Sequence, residues 1–177
     1  AVALGGSRGP TGLPALDDEH GGLLASARMP TDIPLRCACG TIRGTALAVG
    51  AKLAELGLRP VALYSSPLVR ALQTTELIAR SFPTARVEVH APLAIDEGSV
   101  PQVAAVLDRH APSDTVVLVT HEPKIRSIAA HFARKPSFRG FATAESALFR
   151  GEKGKLSLVW CLDPERLVTT SEAVDND

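Results

Sequence analysis

The chain has 177 residues, and 19 Lys and Arg balance 19 Asp and Glu, so its formal net charge is zero. This balance excludes the strongly basic class of nucleic-acid-binding proteins and gives no overall attraction to an anionic membrane. Hydrophobic residues make up 45% of the chain and aromatic residues only 4%. We therefore expect an aliphatic core, which suits a parallel sheet covered by helices.

The cysteines give no indication of a metal site. Cys37 and Cys39 are too closely spaced for a zinc knuckle, and Cys161 stands far from both. We expect three reduced structural thiols and no metal or other cofactor. The sequence has no apolar run of about 18 residues and no recognisable signal peptide, so we expect a cytoplasmic location.

The first 30 residues differ in character from the rest. A short apolar run predicts a first strand, and a long loop rich in Gly and Pro follows it. The loop continues through the segment TDIPL, residues 31–35, where proline favours an extended chain. Loops of this length in compact domains are usually functional or disordered.

From residue 41 onward, helical and strand patterns alternate. Helical patterns cover residues 41–57, 67–82, 99–111 and 124–134, and strand patterns cover 59–66, 85–93, 114–123, 145–151 and 155–162. This alternation predicts one α/β domain over residues 1–177, a three-layer α/β/α sandwich with a mainly parallel central sheet. We interpret residues 168–177 as a polar tail.

Polar side chains follow three of the predicted strands. Ser7 and Arg8 follow the first, Ser66 and Arg70 follow the second, and His121 follows the strand TVVLV. Ligands of open α/β sheets bind at the carboxyl ends of the strands. Arginine and the N-terminus of a helix both bind phosphoryl oxygens well, so these residues predict an anion site. Considered one at a time, Arg70 could equally be a surface residue and His121 a capping or core histidine.

Two segments resemble signatures of the histidine phosphatase (phosphoglycerate mutase-like) superfamily. LYSSPLVRALQTTELIA, residues 63–79, resembles the signature in which a strand ends in Ser-Ser-Pro and an arginine follows. VVLVTHEP, residues 116–123, resembles the later signature, in which a strand ends in a histidine. The His-Glu-Pro form and the ending KLSLVWCLDPERL, residues 155–167, most resemble the small phosphohistidine phosphatase (SixA-type) branch.

The resemblance implies a phosphoglycerate mutase-like fold and a mechanism that needs no metal. In that family a histidine of an Arg-His-Gly motif attacks phosphorus, and water then releases phosphate from the phosphohistidine. Arginines and the later histidine hold the phosphoryl oxygens. By this resemblance Arg70 is the helix arginine, His121 is the later histidine, and Arg28 matches an arginine that precedes the TDIPL segment. The phosphate-binding residues implied in this way are Arg8, Arg28, Ser66, Arg70 and His121.

The Arg-His-Gly motif is missing from this chain. Its place reads GGSRG, residues 5–9, with Ser7 at the arginine position and Arg8 at the nucleophile position. Arginine cannot be deprotonated in proteins, so Arg8 cannot be that nucleophile. His20 is the one histidine of the N-terminal part, but it follows three acids that would repel a phosphate. Ser7 could attack only with the help of a neighbouring base.

Two carboxylates could donate a proton to a leaving group. Asp96 and Glu97 occur in the segment LAIDEGS, where the larger family often places a proton donor, and Glu97 is the candidate that we retain. Acidic residues beside glycine are also common in plain turns, and that interpretation is favoured here.

Three hypotheses remain open. The chain could bind a phosphorylated or other anionic ligand without the usual turnover. It could be an active hydrolase that uses His20 or another displaced nucleophile. It could be a repurposed enzyme or regulatory protein that acts on a non-phosphate ligand, since fold does not fix function. The expected partner is a small phosphorylated or anionic molecule or a phosphoprotein, and we expect neither nucleic acid nor membrane as a partner.

Overall fold

The structure is a computed structural model that describes residues 2–5, 39–152 and 155–171. Its strands and helices follow in the order β1 (Val2–Gly5), α1 (Cys39–Glu55), β2 (Pro60–Ser65), α2 (Val69–Ala79), β3 (Arg86–Val89), α3 (Val100–Ala104), β4 (Thr115–Val119), α4 (Lys124–Ala133), β5 (Ser146–Glu152), β6 (Lys155–Leu162) and β7 (Thr169–Thr170). Two short 3-10 helices, Ala91–Leu93 and Ala105–Arg109, flank α3.

The strands form one mixed sheet in the order β3-β2-β4-β1-β5-β6-β7. β2 runs parallel to both β3 and β4, and β1 runs parallel to β5. The pairs β1–β4, β5–β6 and β6–β7 are antiparallel. The parallel part at β3-β2-β4 is joined by helical crossovers, as parallel neighbours require.

Helices cover both faces of the sheet. Val49 of α1 and Ile78 of α2 belong to the apolar cluster that includes Leu63 and Val117 of the sheet. α3 and α4 contribute to a second cluster around Tyr64, with Val103 and Ile128 among its members. Because successive strand residues point to opposite faces, adjacent residues such as Leu63 and Tyr64 serve the two clusters. The three-layer α/β/α architecture predicted from the sequence is confirmed.

β1 runs in the direction opposite to the one expected. Val2 pairs with Leu118 and Leu4 with Val116, so Gly5 lies toward the start of β4 rather than its end. The expectation that all three polar segments follow strands ending at one edge is therefore wrong for β1. Four apolar residues without an alternating pattern fix neither the direction nor the register of a strand strongly. Ser7 and Arg8 themselves lie outside the described residues.

The remaining differences concern the ends of elements. The third predicted helix is only five residues of α-helix, Val100–Ala104, followed by the 3-10 helix. The predicted strand 85–93 stops at Val89, and Ala91–Leu93 turns as a 3-10 helix that contains Pro92. Part of the predicted polar tail, Thr169–Thr170, pairs with β6 as β7. Threonine suits an exposed edge strand, so polarity alone did not exclude a strand.

Candidate functional site

The candidate site lies where β2 and β4 end side by side. Ser65 pairs with Val119 in the parallel ladder, so both strands finish at the same edge of the sheet. The backbone N–H of Ser66 donates to the carbonyl of Val119 at 2.9 Å. Just beyond the strands, Nε2 of His121 lies 3.1 Å from the hydroxyl oxygen of Ser66. The structure thus brings together Ser66 and His121, as the sequence predicts.

The Ser66 turn leads directly into α2. Ser66 is fully buried, and its hydroxyl oxygen accepts the backbone N–H of Leu68 at 3.3 Å. The hydroxyl of Ser65 donates to the carbonyl of Ser66 at 2.9 Å, which fixes the turn from the other side. α2 begins at Val69 and has no acidic residue in its first turn. Arg70 therefore stands in the first turn of a helix whose N-terminus carries uncompensated positive character.

Arg70 and His121 influence each other electrostatically. Burial lowers the pKa of His121, because it disfavours the charged ring, and the positive charge of Arg70 lowers this pKa further. The neutral imidazole is therefore favoured near pH 7, and its tautomer determines whether the Ser66 hydroxyl or the Nε2–H donates in this contact. We refer to Ser66, Arg70 and His121, with the N-terminus of α2, as the anion site. An oxyanion bound there would meet the arginine fork, helix amides and an imidazole able to take up a proton.

The segment that carries Asp96 and Glu97 is tied to the residues around His121. We refer to residues 95–99 as the acidic loop. The buried ammonium of Lys124 donates to the carbonyls of Glu97 and Gly98 at 2.6 and 2.7 Å. The Thr120 hydroxyl donates at 2.6 Å to the carbonyl of Leu93, which lies just before the acidic loop. Lys124 contacts the backbone carbonyl of Glu97 and not its carboxylate. Glu97 is exposed, and its role as general acid stays a prediction.

A second loop is attached beside His121. The Glu122 carboxylate accepts the backbone N–H of Phe141 at 2.7 Å. Within that loop the guanidinium of Arg139 forms a forked pair with the buried carboxylate of Glu145, and one of its two contacts measures 3.1 Å. The turn after β4 therefore anchors two loops through residues next to His121. Sequence analysis missed Thr120 and Lys124 as anchors. Their position next to the His-Glu-Pro signature marks them as close to the site but does not indicate these contacts.

Several predicted residues lie outside the described part of the chain. They are Arg8, His20 and Arg28, together with Ser7 and Cys37. Their proposed roles stay predictions.

The described residues give few indications about the thiols or a metal. Cys39 begins α1, but its side chain is not described. Cys161 is a free, buried cysteine, and burial raises the pKa of its thiol, as in a structural rather than a reactive cysteine. No group of three or more His, Cys, Asp and Glu side chains that could hold a metal occurs among the described residues. None of the helices described is long and apolar enough to cross a membrane.

Two surface clefts lie away from the anion site. One, of about 500 Å³, is lined by residues of α3 and α4 such as Phe132 and His131. The other, of about 760 Å³, lies near the start of β2 and β3, between Arg59 and Arg86. The guanidinium of Arg59 is already bonded to two backbone carbonyls. Neither cleft offers converging free charges, so the anion site remains the candidate.

Part of the chain matches a known protein family, and its fold is similar to solved structures. Residues 30–98 match the sequence model of the histidine phosphatase superfamily (branch 1). Among solved structures, the protein histidine phosphatase SixA complexed with tungstate superimposes with a TM-score of 0.65 at 18% identity, covering 94% of this chain and 99% of that one. No curated protein matches the sequence.

Two further solved structures extend the comparison. A protein from Agrobacterium tumefaciens described as a phosphohistidine phosphatase of the SixA type gives a TM-score of 0.53 at 18% identity, covering 68% of this chain and 83% of that one. A phosphoglycerate mutase from Plasmodium falciparum gives a TM-score of 0.47 at 20% identity, covering 53% of this chain and 62% of that one. The family match and the fold shared with SixA confirm the resemblance to the histidine phosphatase superfamily.

Proposed function

We propose that this chain, which has the fold and a signature segment of the histidine phosphatase superfamily, binds a phosphoryl group at the anion site without the superfamily's usual turnover. The observation that carries the proposal is the 3.1 Å contact between Ser66 and His121, beside an Arg70 whose charge acts on the same imidazole. The ligand would be a small phosphorylated or anionic molecule or a phosphoprotein, met in the cytoplasm.

The chemistry of the three groups suits a doubly charged oxyanion. The Arg70 guanidinium can hold two oxygens at once through its planar fork. A bound dianion favours the protonated form of His121, which would then donate a charge-assisted hydrogen bond. The similarly folded SixA was solved with tungstate, another oxyanion of the same shape as phosphate. That complex supports the choice of ligand class.

The loss of turnover follows from the sequence. Hydrolysis in this superfamily needs a histidine that attacks phosphorus, and in the alignment with its Arg-His-Gly motif Arg8 replaces that histidine. A guanidinium has no free electron pair for attack at working pH. Arg8 could not form the phosphohistidine. We therefore interpret the chain as a degenerate member of the superfamily.

The binding test measures the melting temperature of the protein with increasing orthophosphate. We expect phosphate to raise the melting temperature of the wild type by mass action. Arg70→Ala should weaken phosphate binding about 10- to 100-fold, the usual effect of losing charge-assisted hydrogen bonds. Arg80→Ala is the matched control, because Arg80 is an exposed arginine at the other end of α2. No phosphate effect on the wild type would overturn the proposal.

A second measurement separates binding from hydrolysis. Phosphate release is followed from an aryl phosphate and from a phosphohistidine peptide. We expect no release by the wild type, with phosphate binding intact. Release that disappears in His20→Ala would replace our proposal with the alternative of an active phosphatase that uses a displaced nucleophile.

A further inference from the structure

β3 is an open edge of the described sheet. Its residues pair with β2 on one side only, in an unbroken parallel register from Arg86 to Val89. Val87 and Val89 are 46% and 58% exposed although both are large and apolar. Natural edge strands are usually kept from pairing by short length, by charged side chains such as lysine, by proline or by a bulge, because an open edge invites pairing with another chain. β3 is short and charged, but Arg86 and Glu88 have opposite signs and can complement those of a second copy. The strand contains neither lysine nor proline, and its ladder shows no bulge.

We propose that β3 pairs antiparallel with β3 of a second copy of this chain, so that the two sheets join across a two-fold axis. This inference does not depend on the phosphoryl-binding proposal, since β3 carries none of the residues of the anion site. The partner is identified by the pattern of charges along the strand.

The two-fold axis restricts the possible registers. A two-fold axis perpendicular to the sheet maps each surface of the sheet onto the same surface of the second copy. The side chains of directly opposite residues in the two β3 strands must therefore point to the same surface. Registers centred on Arg86, Val87, Glu88 or Val89 satisfy this condition. The last leaves Arg86 without a facing strand residue, because the chain turns as a 3-10 helix at Ala91–Leu93. The first sets Arg86 against itself and the third sets Glu88 against itself, and like charges directly opposite are destabilising. The register centred on Val87 sets Arg86 opposite Glu88 of the second copy, twice.

The charges on this side are available for such pairing. The Arg86 side chain is 66% exposed, and its guanidinium lies 3.9 Å from the Glu88 carboxylate, a loose contact. Arg109 approaches the same carboxylate at 3.8 Å and is 59% exposed. Loose pairs between exposed groups are worth little in one chain. Arg86 can therefore turn across the edge, while Arg109 still balances Glu88.

The opposite side of the strand supplies apolar contact in the same register. Val87 shares its side of the sheet with Leu63, the neighbour in β2, which belongs to the α1–α2 layer. At the two-fold axis Val87 would meet Val87 of the second copy, and Val89 would lie opposite Ala85. The contact is short, so we expect a weak and reversible dimer of the small-interface class.

The test is a charge exchange read by sedimentation velocity from micromolar to millimolar protein. We expect the wild type to form dimers as concentration rises. Arg86→Glu alone and Glu88→Arg alone each set like charges opposite one another, and each should weaken association about tenfold or more. The double variant restores opposite charges and should associate like the wild type. An equimolar mixture of the two single variants should form heterodimers, because both cross-strand pairs are then complementary.

Two controls accompany the exchange. Arg126→Glu changes the charge on an exposed residue of α4 and should leave association unchanged. The melting temperature of each variant shows that it is folded. A wild type that stays monomeric at millimolar concentration overturns the proposal, and so does association that both single variants retain or that the double variant fails to restore.

Discussion

Nε2 of His121 lies 3.1 Å from the hydroxyl oxygen of Ser66, although 55 residues separate the two in the chain. The parallel pairing of β2 with β4 sets this distance, because Ser65 and Val119 are partners at the last step of the ladder. The imidazole thus contacts a buried serine, and the Arg70 charge lowers its pKa. Its protonation should therefore report on both neighbours.

The first prediction concerns the pH dependence of folding. The pKa of His121 is lowered below 6.5 by burial first and by Arg70 second. The unfolded chain then binds this proton more readily than the folded chain, so the free energy of unfolding falls as pH drops from about 6.5 to the lowered pKa. Arg70→Gln should raise the pKa of His121, measured by NMR titration of its ring. An unchanged titration would contradict the electrostatic coupling, and Arg80→Gln provides the comparison.

The affinity for an anionic ligand should change with pH in the direction opposite to the free energy of unfolding. An oxyanion stabilises the protonated imidazole, so binding takes up a proton and strengthens as pH falls through the same range. Sulfate is a suitable probe because it stays doubly charged there. Its affinity should rise by at most about tenfold per pH unit, the limit for one proton. A sulfate affinity that is flat with pH in the wild type would show that His121 does not contact the anion.

A further prediction concerns the anchoring of the acidic loop. Lys124 is 9% exposed as a residue, and its ammonium donates to the carbonyls of Glu97 and Gly98. Lys124→Met keeps the apolar stem and removes both donors, so we expect a loss of about 1 to 3 kcal/mol in the free energy of unfolding. Hydrogen exchange of the backbone amides of residues 95–99 should accelerate.

The control for this prediction is Lys52→Met. Lys52 forms a surface pair with Glu55 at 3.2 Å, and such pairs contribute about 0 to 1 kcal/mol. Urea denaturation of both variants provides the comparison. If Lys124→Met and Lys52→Met destabilise the protein equally, the two carbonyl contacts do not hold the loop.

The sequence was sufficient to predict the helices, most strands and the meeting of Ser66 with His121. Buried parallel strands have continuous apolar patterns, and ligands collect at their carboxyl ends, so two of the three polar segments were located correctly from pattern alone. The direction of β1 was not predictable, because four apolar residues fit a sheet in either direction. β7 was missed because its two threonines resemble a polar tail.

The contacts of Lys124 show a different kind of limit. A lysine in the first turn of a helix opposes the helix dipole and would ordinarily be taken as an exposed residue. Its burial follows from the position of two carbonyls 26 and 27 residues earlier in the chain. Only the folded chain brings that loop and the start of α4 together, so no local pattern could have indicated the contact.

The last prediction tests the loop from its other end. Gly98 has a φ of +64°, and an added Cβ would lie 2.7 Å from the Cβ and 2.8 Å from the Cα of Pro92. A proline ring and backbone cannot move aside cheaply, and the left-handed conformation adds strain for any other residue. Gly98→Ala should therefore lower the free energy of unfolding by about 1 to 3 kcal/mol, measured by urea denaturation.

Gly44→Ala is the matched substitution, because Gly44 lies inside α1 with no atom within 4 Å of the added Cβ. That change should stabilise the protein by about 0.5 to 1 kcal/mol, the usual gain for alanine in a helix. The two alanine variants should thus shift stability in opposite directions. If Gly98→Ala also weakens phosphate binding while Gly44→Ala does not, the acidic loop forms a wall of the anion site. If phosphate affinity is equal in both, the loop is a structural neighbour, and Glu97 loses its place as a candidate proton donor.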